Sequence, residues 1–414
     1  MQKVEKMFLE AMKASLNNSQ VSWDEELDPQ DWLFLFRLAE IHHVLPLVYE
    51  AVYNCPAAKR MGIRLQPFKQ RTVQMVMFQT IKTGEFLQLY EYLRSRGMVP
   101  CIVKGIVCRN LYGKPDCRMS GDEDMLIAPE QFEACHKAML EYGMVPVQPE
   151  RDIAGEYEVP YRKEGSPLYI ELHKSLFPPE SEAYGNLNRF FSGVTERLTE
   201  IPVQGGSVYT MNDTDHLFYL LCHSFKHFLH SGFGIRQVCD IVLFANLRGP
   251  MLDWQEILRK CREIHADLFA AAVFQIGRKY LTFDYSKACY PEEWQKIQID
   301  EGPMLEDLLE SGIYGNSSLS RMHSSNITLN AVVAGKKGRK VDGTVLRTVF
   351  PPLRQMEYRY AYLKRAPFLL PVAWVERILK YRKETGKMPG NEAVESVKIG
   401  SRRTEMMKQY GIIK

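Results

Sequence analysis

The sequence contains no long run of apolar residues. Its most hydrophobic stretch, from Pro367 to Val375, is interrupted by Pro371 and is far shorter than the roughly 20 apolar residues that a membrane-spanning helix needs. The first residues carry charges every few positions, whereas a secretory signal needs an unbroken apolar block. We therefore expect no membrane span, no export and a cytoplasmic location.

Signatures of several known sites are also missing. The nine cysteines include no CxxC pair, which argues for reduced thiols and against a disulfide framework. His223 and His227 have the spacing of two ligands on one helix face, but no glutamate follows His223, as the HExxH zinc motif requires. We expect this helix to line a binding cleft or to pack structurally. Residues 335–340 are rich in glycine and lysine but lack the spacing of a Walker loop, so a basic surface loop is expected.

The composition is that of a globular protein long enough for several domains. The 414 residues are 45% hydrophobic and 25% charged. The net charge of the chain is +3, yet residues 331–414 contain 19 Lys/Arg and 7 Asp/Glu. Such a basic segment indicates an anionic partner, such as nucleic acid, a phosphorylated substrate or anionic lipid, or else docking onto the acidic remainder of the chain.

Residues 1–97 are predicted to be helical. Asp28 and Pro29 predict a helix start, with Asp28 as the cap and Pro29 at the first helical position. A long helix is predicted over residues 68–96, with Val73 and Ile81 among the apolar residues on its buried face.

Short apolar runs separated by turns replace the helical period over residues 98–212, as is typical of an α/β unit. The predicted strands are residues 99–103, 124–127, 158–162 and 168–173, with helices over 106–112 and 129–142. Runs on either side of Gly205-Gly206 predict a further hairpin.

Helical period returns over residues 213–303, where Asp213 is the predicted cap of the first helix and Arg236 is expected to pair with Asp240. The signals weaken over residues 304–414, and residues 311–342 are predicted to be a surface excursion or partly disordered. The chain thus divides into four predicted regions, 1–97, 98–212, 213–303 and 304–414.

Acidic residues between the predicted strands carry most of the chemistry. Asp122 and Asp124 alternate along an extended chain, so their carboxylates point to one face and Glu123 points to the other. Adjacent carboxylates are costly unless a cation lies between them, and oxygen ligands suit Mg²⁺ together with substrate phosphates. Glu171 adds a third carboxylate and shares a strand face with His173. These residues predict a site for Mg²⁺ or Mn²⁺.

Residues beside the acidic pair predict phosphate binding. Gly105 lies at a strand-to-helix turn, where glycine lets the backbone approach a phosphate. Lys104 and Arg118 are nearby cations that could balance phosphate charge. Other interpretations stay open, because an acidic pair at a strand edge is commonly only solvated, Lys104 could be a surface lysine, and His173 could be a core histidine bonded to backbone.

Taken together, these motifs resemble the nucleotidyltransferase fold of the DNA polymerase beta superfamily. More narrowly, they resemble a poorly characterised bacterial nucleotidyltransferase-like family over about residues 30–290, and the matching residues are Lys104-Gly105, Arg118, Asp122-Glu-Asp124 and Glu171-Leu-His173. The resemblance implies an α+β fold in which a small mixed-sheet nucleotidyltransferase core is flanked by amino- and carboxy-terminal helical regions. It also implies Mg²⁺- or Mn²⁺-dependent transfer of a nucleoside monophosphate from an NTP to a hydroxyl of an unknown acceptor.

The resemblance also implies roles for individual residues. The catalytic and metal-binding residues would be Asp122, Asp124 and Glu171, and the triphosphate contacts would come from Lys104, Gly105 and Arg118. Ile106 follows the turn glycine where the superfamily has a small residue, and this favours an alternative in which an inactive nucleotidyltransferase fold serves as a binding or regulatory protein through its basic carboxy-terminal region. A nucleic-acid-modifying transferase is a third hypothesis.

Overall fold

Helices make up most of the protein, and a small mixed sheet lies among them. The structure is a computed structural model that describes residues 1–25, 27–150, 153–315, 318–338, 350, 353–357, 360–385 and 392–413. Residues 339 and 340 of the predicted basic loop lie outside this part. Within the described ranges, no helix combines the length and the apolar character needed to cross a membrane.

Helices precede the sheet, as predicted for residues 1–97. They are α1 (Lys3–Leu16), α2 (Pro29–Ile41), α3 (Leu45–Val52), α4 (Pro56–Met61) and α5 (Gln66–Ser95). The predicted start of α2 is confirmed, because the side chain of Asp28 accepts a hydrogen bond of 2.8 Å from the backbone N–H of Gln30.

The buried face of α5 differs in part from the apolar face predicted for it. Val73 and Ile81 are about half exposed, whereas Gln79 and Lys82 are fully buried. The ammonium of Lys82 donates to the carbonyl of Ser120 at 3.2 Å, and the side-chain oxygen of Gln79 accepts from the N–H of Ser120 at 2.9 Å. Buried polar groups need such partners. The spacing of apolar residues thus identified only part of the buried face, since Leu89 and Leu93 of the predicted face are fully buried.

A five-stranded mixed sheet forms the centre of the predicted α/β region. Its strands are β1 (Cys101–Ile102), β2 (Glu123–Leu126), β3 (Val145–Pro146), β4 (Glu158–Arg162) and β5 (Tyr169–His173), with α6 (Gly105–Arg109) after β1 and α7 (Phe132–Glu141) after β2. The strand order is β1-β2-β5-β4-β3, and only β2 and β5 are parallel. The predicted hairpin is confirmed as β6 (Thr199–Val203) paired with β7 (Gly206–Thr210). The α+β class is therefore confirmed.

In the described part of the chain, helices follow the β6–β7 hairpin as far as residue 409. They are α8 (Asp213–His230), α9 (Ile235–Arg248), α10 (Trp254–Glu263), α11 (Asp267–Tyr280), α12 (Glu292–Gln295), α13 (Gly302–Ser311), α14 (Leu319–Lys336), α15 (Leu353–Met356), α16 (Leu370–Thr385) and α17 (Glu392–Gln409). The cap of α8 is Asn212 rather than Asp213, since the Asn212 side chain accepts from the N–H of Asp215 at 2.9 Å.

Helix α14 corrects the prediction of an irregular excursion over residues 311–342. Ile327, Ala331 and Val332 are buried, and α14 packs closely against α17. The helix contains many serine and asparagine residues, which are weak helix formers. Tertiary packing against distant residues stabilises it, as it does most helices in proteins.

The main hydrophobic core draws residues from all four predicted regions, including Phe8, Cys101, Phe244 and Met407. A second core lies between α5, the sheet, α7 and the β6–β7 hairpin, and contains residues such as Met125. Helix α8, which belongs to the main core, therefore packs beside the sheet, and this arrangement positions the candidate site.

Candidate active site

Parallel pairing of β2 with β5 brings two of the predicted carboxylates together. Asp124 and Glu171 are direct partners in the register of this pair, so their side chains lie on the same face of the sheet. Asp124 is buried, whereas Glu171 is partly exposed. Residues that are distant in the sequence thus form one acidic patch.

The candidate metal-binding group consists of Asp124, Glu171 and His173. Each offers one ligand atom, and these atoms lie within 4.8 Å of one another. Nε2 of His173 lies 3.3 Å from Oδ1 of Asp124 and 3.7 Å from Oε2 of Glu171. Carboxylate oxygens suit Mg²⁺ and Mn²⁺, whereas an imidazole nitrogen is a ligand typical of transition metals such as Zn²⁺. The donor set thus fits a divalent cation, and His173 contacts carboxylates rather than the backbone partner considered from sequence.

The charges of this group shift one another's pKa values. Burial would raise the pKa of Asp124, but Lys104 and His173 outweigh it and hold this pKa well below its ordinary value. Burial would lower the pKa of His173, but Asp124 and Glu171 raise it to about 9. The pKa of Glu171 is raised, by burial first and then by the neighbouring carboxylates, despite His173. Near neutral pH His173 therefore carries a proton, which a metal ion must displace to be bound by this imidazole.

Lys104 lies inside the site and is not a surface lysine. Its ammonium nitrogen lies 2.9 Å from Oδ2 of Asp124, off the direction of a well-aligned hydrogen bond, and 3.1 Å from Nε2 of His223. Burial would lower the pKa of Lys104, but Asp124 raises it well above its ordinary value. Lys104 is therefore a permanent cation between the acidic strands and α8.

Asp122 lies at the edge of the metal-binding group. In the part of the chain that is described, the ligand atoms that converge belong to the other three residues, and Asp122 is not among them. It precedes β2 directly, and its charge raises the pKa of both Glu171 and Lys104. Asp122 thus adds negative charge to the site from its margin.

The turn at Gly105 is occupied by the protein's own carboxylate. Gly105 has a φ of +45°, and a Cβ atom added there would lie 1.7 Å from Oε2 of Glu123. Glu123 points away from Asp124, as alternation predicted, and accepts a hydrogen bond of 2.9 Å from the N–H of Ile106. The close approach that requires glycine in this structure is therefore that of Glu123.

Arg118 is buried and paired within the protein. Its guanidinium donates to both carboxylate oxygens of Asp240 on α9, and the hydroxyl of Tyr112 donates to the same carboxylate at 2.8 Å. The predicted pair of Arg236 with Asp240 is therefore wrong, because Asp240 binds Arg118. Arg236 instead donates to the hydroxyl of Tyr314 at 3.0 Å. Arg118 thus attaches the loop before β2 to α9, and its contact with phosphate stays a prediction.

Helix α8 faces the acidic strands with two histidines and a lysine. Nε2 of His223 lies 3.1 Å from the ammonium of Lys104 and 3.3 Å from Nε2 of His227, which puts this helix beside the acidic strands, and its lining of a binding cleft stays a prediction. The pKa of Lys226 is lowered, by burial first and then by Lys104, although the strand carboxylates oppose this shift. Among the described residues no third ligand joins His223 and His227 in a metal-binding group. Burial and the neighbouring lysines hold the pKa values of His223 and His227 well below their ordinary value, so these imidazoles are neutral where α8 meets the acidic strands at Lys104.

Glu158 is a member of the site that sequence reasoning missed. Its Oε2 lies 3.5 Å from Nδ1 of His173, because the two residues are direct partners in the antiparallel pair of β4 and β5. A signal for it was present in the sequence. The predicted hairpin of residues 158–162 and 168–173 brings the two residues close together, but counting outward from its turn pairs Glu158 with Leu172, and the observed register is one residue further along β5.

Comparison with known proteins agrees with this arrangement. A family described as an uncharacterised nucleotidyltransferase matches residues 28–282. No curated protein and no solved structure matches the chain. The matched residues include the sheet, the acidic group and α8. Because the match covers more than half of the sequence and contains the whole candidate site, the chain belongs to the uncharacterised nucleotidyltransferase family.

Proposed function

We propose that this protein transfers a nucleoside monophosphate from an NTP to a hydroxyl group of an acceptor, with release of pyrophosphate. The observation that carries the proposal is the convergence of Asp124, Glu171 and His173 next to Lys104 and α8. A bound Mg²⁺ or Mn²⁺ would neutralise phosphate charge and make the acceptor hydroxyl more acidic.

Each residue has a separate task in this proposal. Asp124, which stays ionised, and Glu171 would hold the ion, with Asp122 adding charge beside them. Glu171 would also accept the proton of the acceptor hydroxyl, and its raised pKa, which makes it the stronger base of the pair, supports this role. Lys104 would contact the triphosphate from its position beside Asp124.

Gly105 and Arg118 support these groups in the proposal. The turn at Gly105 places Lys104 at the start of α6, and the pairing of Arg118 with Asp240 holds the loop that leads to Asp122. A direct phosphate contact at Gly105 would require Glu123 to leave the turn, and one at Arg118 would require Arg118 to leave Asp240, because these carboxylates make the present contacts.

Substitution of the two carboxylates tests the proposal. Asp124→Asn and Glu171→Gln should each lower transfer of α-phosphate label from ATP, GTP, CTP or UTP to acceptors in a lysate by at least about 100-fold, since each removes a metal-binding charge. The Mn²⁺ affinity of the same two variants, measured by calorimetry, should also fall. Glu164→Gln changes an exposed carboxylate in the β4–β5 turn and should leave both unchanged. Wild-type transfer in either of the first two variants contradicts the proposal.

A second candidate function is that of an inactive nucleotidyltransferase that binds partners without turnover. It is favoured by Ile106 at the turn and by the internal pairing of the turn and of Arg118. NTP binding by the wild-type protein, without label transfer to any acceptor in the presence of Mg²⁺ or Mn²⁺, would support this function over the first.

A further inference from the structure

One face of α16, together with the 3₁₀ turn Pro367–Leu369 before it, is apolar and uncovered. Phe368, Val372, Val375 and Leu379 are 80%, 54%, 57% and 58% exposed. Their spacing of four, three and four residues places them on one side of the helix, over a length of about 16 Å. Single exposed apolar residues are ordinary in proteins, whereas a continuous row marks an interaction surface.

The opposite face of α16 already holds the helix in place. Ala373 and Leu363 are fully buried and form a small apolar cluster with Met356. Leu370 and Trp374 pack against this cluster. This cluster is separate from the two larger cores. Folding therefore accounts for the inner face of α16 and does not account for the apolar character of the outer row.

Cations are frequent in the segment that contains the row. Lys364, Arg365 and Lys380 are exposed, and residues 360–385 contain six Lys/Arg and two Asp/Glu. One of these acids, Glu376, accepts a hydrogen bond of 2.9 Å from the hydroxyl of Tyr362. The combination of an exposed apolar row with exposed cations in one helical segment is typical of a helix that lies in a membrane interface.

The charge distribution distinguishes among the occupants of this surface. A second copy of the chain would bring the same cations against one another, which is unfavourable. A nucleic acid would pair with the cations but would leave the apolar row in water. An anionic lipid surface offers phosphate groups to the cations and acyl chains to the apolar row.

We propose that α16 binds peripherally to an anionic membrane surface. Phe368, Val372, Val375 and Leu379 enter the boundary between headgroups and acyl chains, and Lys364, Arg365 and Lys380 contact lipid phosphates. The attachment is reversible, because such a helix lies in the plane of the interface and does not cross the bilayer. It does not depend on the proposed transfer activity.

Vesicle flotation of the full chain tests the proposal. Wild-type protein should float with phosphatidylcholine vesicles that contain phosphatidylglycerol, and much less with pure phosphatidylcholine. Val375→Glu/Leu379→Glu should lower the bound fraction by about tenfold or more, because it places charge in the apolar row. Leu247→Glu/Met251→Glu is a matched control, since these side chains are similarly exposed but do not belong to a longer row, and it should bind like wild type.

A second variant separates charge from apolar contact. Lys364→Glu/Lys380→Glu should remove the preference for phosphatidylglycerol, and high salt should reduce wild-type binding in the same way. All changed side chains are exposed, so thermal unfolding like that of wild type is expected and verifies folding.

Several outcomes would overturn the proposal. They are absence of flotation with either vesicle, flotation of Val375→Glu/Leu379→Glu equal to that of wild type, and a wild-type dimer that this variant converts to a monomer. Salt-sensitive binding to RNA in the absence of vesicle binding would equally reject a lipid surface in favour of a nucleic acid.

Discussion

Glu123 is a buried carboxylate that organises the turn beside the candidate site. Burial would raise its pKa, but Arg109 and Lys82 outweigh this and lower it, so it is ionised. Its oxygens accept from the N–H of Ile106 at 2.9 Å and from the hydroxyl of Ser120 at 3.0 Å. The position of Lys104, at the start of α6, therefore depends on a residue that does not face the metal-binding group.

Gly105→Ala should destabilise the protein more than a comparable change at another turn. The methyl group would meet the carboxylate of Glu123, in addition to the cost of a positive φ, and we expect a loss of about 3 kcal/mol in the free energy of unfolding. Gly97 also has a positive φ, of +77°, but has open space around it, so Gly97→Ala should cost about 1 kcal/mol. Urea unfolding measures both, and equal losses would show that Glu123 moves aside at no cost.

Among the elements, α17 supports the helix beside the acidic strands. Arg403 of α17 is fully buried and donates to the carbonyls of Phe228 and His230 at the carboxyl end of α8. It also donates to Asp307 of α13 at 3.2 Å, and Arg321 of α14 pairs with the same carboxylate. A cation at the carboxyl end of a helix is favourable, so residues close to the end of the chain stabilise α8.

Arg403→Met should lower the free energy of unfolding by about 3 to 5 kcal/mol, because it breaks a buried ion pair and leaves carbonyl groups without donors. The adjacent Arg402 pairs with Glu310, and its side chain is 51% exposed, so Arg402→Met should cost less than about 1 kcal/mol. Thermal and urea unfolding compare the two variants. Similar small losses in both would contradict the assigned role of Arg403.

Buried histidines make the stability of the whole molecule depend on pH. Burial lowers the pKa of His42 and of His216 from 6.5 to about 4. The unfolded chain therefore binds more protons than the folded protein between these values, and stability falls as the pH decreases from about 6.5 to about 4. His173, whose pKa is raised to about 9, acts in the opposite direction, and its contribution is lost as the pH rises from 6.5 through 9.

The free energy of unfolding should therefore be greatest near pH 6.5 to 7 and fall on both sides, with His42 and His216 each contributing up to about 3 kcal/mol on the acid side. The acid limb is the fall in the free energy of unfolding as the pH decreases from about 6.5 to about 4. His216→Gln should make this limb shallower in urea titrations at several pH values. His265→Gln, at an exposed position, should leave the limb unchanged. An acid limb in His216→Gln as steep as that of wild type would contradict this assignment.

Local signals predicted a large part of the fold. The Asp28 cap of α2 and the turns of both hairpins involve residues only a few positions apart, so short-range backbone preferences are sufficient to indicate them. Alternation along one strand likewise separated Asp124 from Glu123. The polar part of the inward face of α5 and the helix α14 were not predicted, because their partners, Ser120 and α17, are distant in the sequence.

The candidate site divides in the same way. The amino-acid sequence by itself determined that Asp124 and Glu171 are carboxylates on strands and that Lys104 and Gly105 lie at a turn, since neighbouring residues decide these features. Only the tertiary structure decided that β2 and β5 pair in this register and that Arg118 forms an ion pair with Asp240. A buried charge binds whichever partner the packing of distant elements brings within reach, and no local pattern contains that distance.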